Sequence, residues 1–186
     1  MHIFIKMKKS LSHEIEIPEG VETNIEGNKL IVKGPEGENS REFNLGKINF
    51  EEKDNKIILS HKKATKKEKK IINTTASHIR NMIKGVQEKF EYKLKICSSH
   101  FPMTVKIEEN KAIIKNFLGE KIDRKATIPK GVDIKIEKDI ITITSTNKEI
   151  VGQAAANFES ATKIRNRDIR IFQDGIYITN KAGREM

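Results

Sequence analysis

At 186 residues, 33% charged and 36% hydrophobic, the chain has the size and balance of a globular protein with one well-buried core or two small ones. No apolar run approaches the roughly 20 residues a bilayer span demands, "MHIFIKMKK" is too poor in apolar residues for a signal-peptide core, and the single cysteine, Cys97, excludes an internal disulfide framework; together these point to the cytosol. The formal net charge of +10 calls for a polyanionic partner, either nucleic acid or an anionic membrane surface.

Along the first half, "IEGNKLIVKGPEGE" (25–38) and "EKDNKIILS" (52–60) are Ile/Val/Leu-rich with period-two character, which predicts strands. The pattern then changes. Ile72, Ala76, Ile79, Ile83 and Val86 step by four and three, placing them on one face of a helix. Thr65 and Glu68 open that helix as a T-x-x-E capping box, each side chain satisfying the other's free backbone N–H. "HKKATKKEKK" gathers six lysines at the helix start, where the helix dipole disfavours cations, so stability alone would not choose them. They are either a solvated charged face or a phosphate-contacting cluster.

The second half repeats the first. At an offset of 82, "IEENKAIIKNFLGE" (107–120) matches 25–38 at eight of fourteen positions, and "EKDIITITS" (137–145) resembles 52–60 at an offset of 85. Val151, Ala155, Phe158 and Ala161 predict a second helix, opened by a second T-x-x-E pair, Thr146 and Glu149. This helix start lacks the lysine cluster, so the fold does not need one. Its "GQAAA" run suits close packing on its own sheet. A period of this length fits a duplicated domain rather than a solenoid. The expected fold is α+β: two similar tandem domains, 7–87 and 88–186, each a small mainly antiparallel sheet packed on one helix.

The tail, "NRDIRIFQDGIYITNK" (166–181), is too rich in Ile and aromatics for a fraying terminus. Asp174-Gly175 between alternating apolar residues predicts a two-residue hairpin turn. Its geometry would set Ile169, Ile171, Ile176 and Ile178 on a core face, with Arg170, Phe172, Tyr177 and Thr179 on the other. Phe172 and Tyr177 would then form a cross-strand pair, either covered by the chain or open to bases. Charge is uneven as well: residues 61–95 hold eleven Lys and Arg against three Glu, residues 161–186 hold six against three acidic residues, and the rest is near neutral. The candidate RNA-binding residues are therefore Lys62, Lys63, Lys66, Lys67, Lys69 and Lys70 in the first helix segment, and Lys163, Arg165, Arg167, Arg170, Phe172, Tyr177, Lys181 and Arg184 in the tail. Arg holds phosphate bidentately and aromatics stack on unpaired bases.

With the tail motif Arg170, Phe172, Asp174, Gly175, Ile176 and Tyr177, the doubled domain and "IPEGV" near the start, the chain resembles ribosomal protein six of the large subunit in its archaeal or eukaryotic form. The resemblance runs from about Met7 onward, and the Lys- and Ile-rich composition suits the archaeal branch. It implies a structural, non-enzymatic constituent of the cytoplasmic large ribosomal subunit. It further implies binding to 23S-type rRNA near the sarcin-ricin loop and the base of the acidic stalk. Neighbouring large-subunit proteins and translational GTPases would be close by, with no cofactor, DNA or membrane partner.

Three rivals lack their marks. Cys97 and His100 make a C-x-x-H pair, but zinc needs four ligands and no second pair stands at metal-like spacing, which favours a structural thiol at a strand end. Nucleotide-binding and zinc-hydrolase motifs do not occur. A DNA regulator would share the basic segments but not this internal doubling, and no recognition-helix motif is present. A membrane-surface helix would need a Trp/Phe/Leu-rich face opposite the lysines.

Overall fold

A computed structural model describes residues 9–186 other than Asp54. The expected domain start at Met7 lies outside the described residues. The chain separates between Glu88 and Lys89 into two compact units.

The first unit contains β1 (Lys9–Glu16), β2 (Glu22–Glu26), β3 (Lys29–Gly34), β4 (Gly37–Glu42), β5 (Asn49–Lys53), β6 (Lys56–Ala64) and α1 (Lys66–Gln87). The strands form two antiparallel sheets, ordered β1-β6-β5 and β2-β3-β4. Alternation decides which side chains turn inward: Leu30 and Val32 on β3 and Ile57 and Leu59 on β6 are fully buried, while the residues between them are not. They meet Ile72, Ala76, Ile79, Ile83 and Val86, the predicted helix stripe, in a single core. The capping box forms as expected: the Glu68 carboxylate accepts from the Thr65 backbone N–H at 2.8 Å and from its hydroxyl, and Thr65 Oγ1 accepts from Lys67 N–H at 3.3 Å. Gly34, ending β3, lies so close to the last turn of α1 that a Cβ there would stand 2.8 Å from the Val86 carbonyl oxygen.

The second unit contains β7 (Phe90–Cys97), β8 (Thr104–Glu108), β9 (Lys111–Lys115), β10 (Arg124–Thr127), β11 (Asp133–Glu137), β12 (Ile140–Ser145), α2 (Lys148–Ala161), β13 (Gly175–Lys181) and β14 (Arg184–Glu185). The β8–β9 hairpin reproduces β2–β3 at the offset of 82: Glu26 pairs with Lys29, and Glu108 with Lys111. The next hairpin corrects the alignment of 52–60 with 137–145. The closing pairs Lys53–Lys56 and Glu137–Ile140 match at 84 rather than 85, and so do buried Ile57 and Leu59 with Ile141 and Ile143. A one-residue slip would have turned every side chain to the wrong face.

The second helix start differs from the expected capping box. Asn147 is the N-cap and accepts from Glu149 N–H at 3.0 Å. Starting one residue later puts Glu149 at the second helical position rather than the third. The alanines behave as expected, Ala154 and Ala155 being fully buried in the unit's core.

The tail departs most from expectation. Residues 162–174 form no strand, so there is no hairpin at Asp174-Gly175 and no Phe172–Tyr177 cross-strand pair. Instead β13 pairs antiparallel with β7, Gly175 opposite Cys97 and Ile176 opposite Ile96, extending the sheet to β11-β12-β7-β13-β14. The hairpin lies further on, at Ala182-Gly183, both at positive φ (51° and 85°), with Gly183 N–H donating to Asn180 Oδ1. Asp174 is committed elsewhere: buried at 2% exposure, its Oδ1 accepts from the Ser99 N–H and hydroxyl. Gly175 serves close packing, since a Cβ there would stand 3.0 Å from the Tyr177 ring. Ile176 is core as expected, but Ile169 and Ile171 are 69% and 75% exposed, because they ride on a turn outside the sheet.

Candidate nucleic-acid interface

The candidate lysines at 62–70 lie in the first unit and the candidate tail residues in the second. In the first unit, Lys62 and Lys63 lie on the last residues of β6, and Lys66, Lys67, Lys69 and Lys70 on the first turns of α1; all six are exposed. None of the six has an acidic partner among the described residues, whereas Lys33, Lys56, Lys93 and Lys115 pair with carboxylates. The one acid among them, Glu68, is occupied in the cap. Hydrogen bonds from the Thr65 side chain, and then from its backbone, pull its carboxyl down to about 2. The cluster is therefore a dense, uncompensated positive field at the end of the helix that least favours it.

In the second unit, the segment between α2 and β13 is a shaped loop. Asp168 caps a turn: its Oδ1 accepts from Arg170 N–H at 2.9 Å, and its backbone carbonyl accepts from Phe172 N–H at 3.0 Å. The Arg170 guanidinium also holds Asp168 in an exposed ion pair, its Nη2 3.1 Å from Oδ2, lowering the Asp168 carboxyl. Arg167 lies over the Phe172 ring at 4.9 Å. Phe172 and Tyr177, separated along the chain, line the same recess of about 510 Å³ with Lys163, Ile164 and Ile169. The Tyr177 hydroxyl donates to the Gln173 carbonyl at 3.2 Å, fixing the ring, and burial raises its phenol above the usual range. Arg165 stands exposed on the same loop, while Lys181 and Arg184 sit apart from it, opposite each other across the β13–β14 turn. A recess with an apolar lining that also includes Glu159 and Lys163, with the Arg167 guanidinium over its Phe172 ring, can take an unstacked base while Lys163 and Arg167 meet its phosphates.

What holds the loop was not legible in the sequence. Arg124 on β10 forks onto Glu120 at 2.8 and 2.7 Å, donates from Nη1 to the carbonyls of Ala161 and Lys163 at 3.0 and 3.1 Å, and lies 4.2 Å over the Phe117 ring. It thereby caps the C-terminus of α2 where the basic loop departs. Its hydrogen bonds draw Glu120 below the ordinary carboxyl range. The carbonyl partners are 37 and 39 residues away, beyond any local spacing signal. At the loop's other end, Ile176 N–H donates to Thr162 Oγ1 at 2.9 Å.

Cys97 is half-buried at the end of β7, and among the described residues no three His, Cys, Asp or Glu side chains converge as metal ligands. No helix among the described residues is long and apolar enough to cross a membrane.

Comparison with known proteins agrees with this architecture. The profile of the family described as "Ribosomal protein L6" matches twice, over residues 17–89 and 101–175. Among similar proteins is the large ribosomal subunit protein uL6 of Methanobrevibacter smithii, 48% identical over 172 residues, covering 92% of this chain and 97% of that one. Those of Methanococcus vannielii and Methanothrix thermoacetophila are 45% and 43% identical, each over 94% of this chain and over 96% and 99% of their own lengths. Doubled architecture, doubled family match and near full-length identity lead to one conclusion: the chain belongs to the ribosomal protein L6 family.

Proposed function

We propose that this chain binds 23S-type rRNA near the sarcin-ricin loop and the base of the acidic stalk, beside the docking site of the translational GTPases. As a member of the L6 family it is a structural, non-enzymatic constituent of the large ribosomal subunit, with rRNA and neighbouring ribosomal proteins as its partners. The observation that carries the RNA reading is the contrast between the duplicated helix starts: the end of β6 and the first turns of α1 hold six lysines without an acidic partner among the described residues, and the start of α2, built on the same plan, does not. In the second unit, Lys163, Arg165, Arg167 and Arg170 contact phosphates around a base held by Phe172 and Tyr177, and Lys181 and Arg184 extend the contact along the tail. The placement near the sarcin-ricin loop and stalk rests on the family resemblance rather than on charge.

Directed hydroxyl-radical probing tests this, with iron tethered to a Lys62→Cys or Lys181→Cys variant in a Cys97→Ser background, assembled into large subunits. Cleavage at the sarcin-ricin loop and stalk-base rRNA is the expected outcome. Strong cleavage confined to distant rRNA would refute the placement, and absence of the chain from salt-washed large subunits would refute the function. Phe172→Ala with Tyr177→Ala should weaken rRNA binding at every salt concentration without changing the salt slope, because stacking releases no counterions. A lower melting temperature with unchanged affinity would instead make the rings purely structural.

A further inference from the structure

A groove of about 410 Å³ in the first unit joins residues that no sequence pattern connects. One wall is a stripe on α1, Lys67, Lys70, Thr74 and His78, spaced by three, four and four residues so that they share a face. The other is the end of β4 and the residues after it, with Arg41 and Phe43. Arg41 lies within 5.6 Å of the centre of the buried Phe43 ring, and its Nη1 is 3.3 Å from His78 Nδ1, so the guanidinium is positioned by a ring and an imidazole. Glu42 also lines the groove. Neither Lys67 nor Lys70 has an acidic partner among the described residues. The ammonium groups of Lys67 and Lys70 repel each other unless an anion enters, and a planar guanidinium beside two flexible ammonium groups suits the tetrahedral oxygens of a phosphate.

The geometry points to this groove as a phosphodiester site on the first unit, in which Arg41, Lys67 and Lys70 grip the RNA backbone and His78 orients the guanidinium. It rests on the rRNA-binding reading and makes it specific. Two of the six lysines turn into a defined pocket, and Arg41, outside both basic segments, works with them. Phosphate rather than a base edge is the ligand because the groove presents cationic donors, while its aromatic floor is already covered by Arg41 and His78.

The test is binding of the full chain to protein-free large-subunit rRNA across a KCl titration, comparing wild type with Arg41→Gln and with Lys67→Gln/Lys70→Gln. Each lost phosphate contact lowers the slope of log affinity against log salt by about 0.7–0.9, so the single variant should lose about one such step and the double variant about two. His78→Asn should reduce affinity with the slope nearly kept, since it removes an orienting partner and no phosphate contact. Arg41→Gln could disturb folding, but Lys67 and Lys70 are exposed, so the double variant reads the site with the fold intact. A second arm adds inorganic phosphate and follows the His78 ring resonances by NMR. If rRNA perturbs them at far lower phosphate equivalents than the free ion, the site takes the nucleic-acid backbone; equal potency overturns that assignment. If wild type binds rRNA and neither slope changes, the groove proposal fails while RNA binding stands. If wild type does not bind rRNA at all, both fail.

Discussion

Arg124→Lys is the most informative single change in the second unit, because it keeps the positive charge and removes the fork. In the native side chain two nitrogens hold Glu120, and Nη1 serves the two carbonyls at the end of α2. A lysine can keep one contact with Glu120 but cannot also reach Ala161 and Lys163. Hydrogen bonds from a charged group contribute about 1.5–3 kcal/mol each. The side chains are 25% and 35% exposed and water can take over part of the load, so we expect a net loss of about 2 kcal/mol. In a domain of this size each kcal/mol lowers the melting temperature by roughly 4–8 °C, giving about 8–16 °C for the second unit's transition. Differential scanning calorimetry of the full chain reads it, and hydrogen exchange assigns it: faster exchange should centre on the end of α2 and on residues 163–174. A shift under about 2 °C, or loss of protection confined to the first unit, would refute the anchoring role. The pH dependence supplies a sign check. Glu120 has a depressed folded pKa, so its contribution is complete above the unfolded carboxyl value and disappears as pH falls through the folded one. The deficit of Arg124→Lys should therefore shrink in acid.

Thr65→Ala should cost about 1 kcal/mol by removing the α1 cap, measured by urea unfolding. Glu68→Gln should show its full effect above the ordinary carboxyl value of 4.5 and lose it as pH falls towards 2, since the native carboxyl is held down to about 2; an effect that grows in acid would contradict the capping geometry. Gly34→Ala should destabilise the first unit by about 1–3 kcal/mol, because its methyl would meet the Val86 carbonyl and side chain; an unchanged melting temperature would show that β3 and α1 part without cost.

Local chemistry made much of the architecture readable. The stripe from Ile72 to Val86 and the Thr65–Glu68 box are set by neighbours within about a turn of helix, so spacing alone carries them. The duplication was readable for the same reason, except where a one-residue drift in register hid behind the similar pairs Ile57–Leu59 and Ile141–Ile143. The tail was misread because Asp-Gly is a local signal with several uses. Which use prevails depends on Ser99, 75 residues away, and on the free edge of β7. The same limit applies to function. Composition exposed both basic segments, since net charge is additive along the chain. Only tertiary structure could anchor the loop through Arg124 and bring Arg41 against Lys67 and Lys70. Such convergence depends on the path of the backbone through space, which no spacing in the chain encodes.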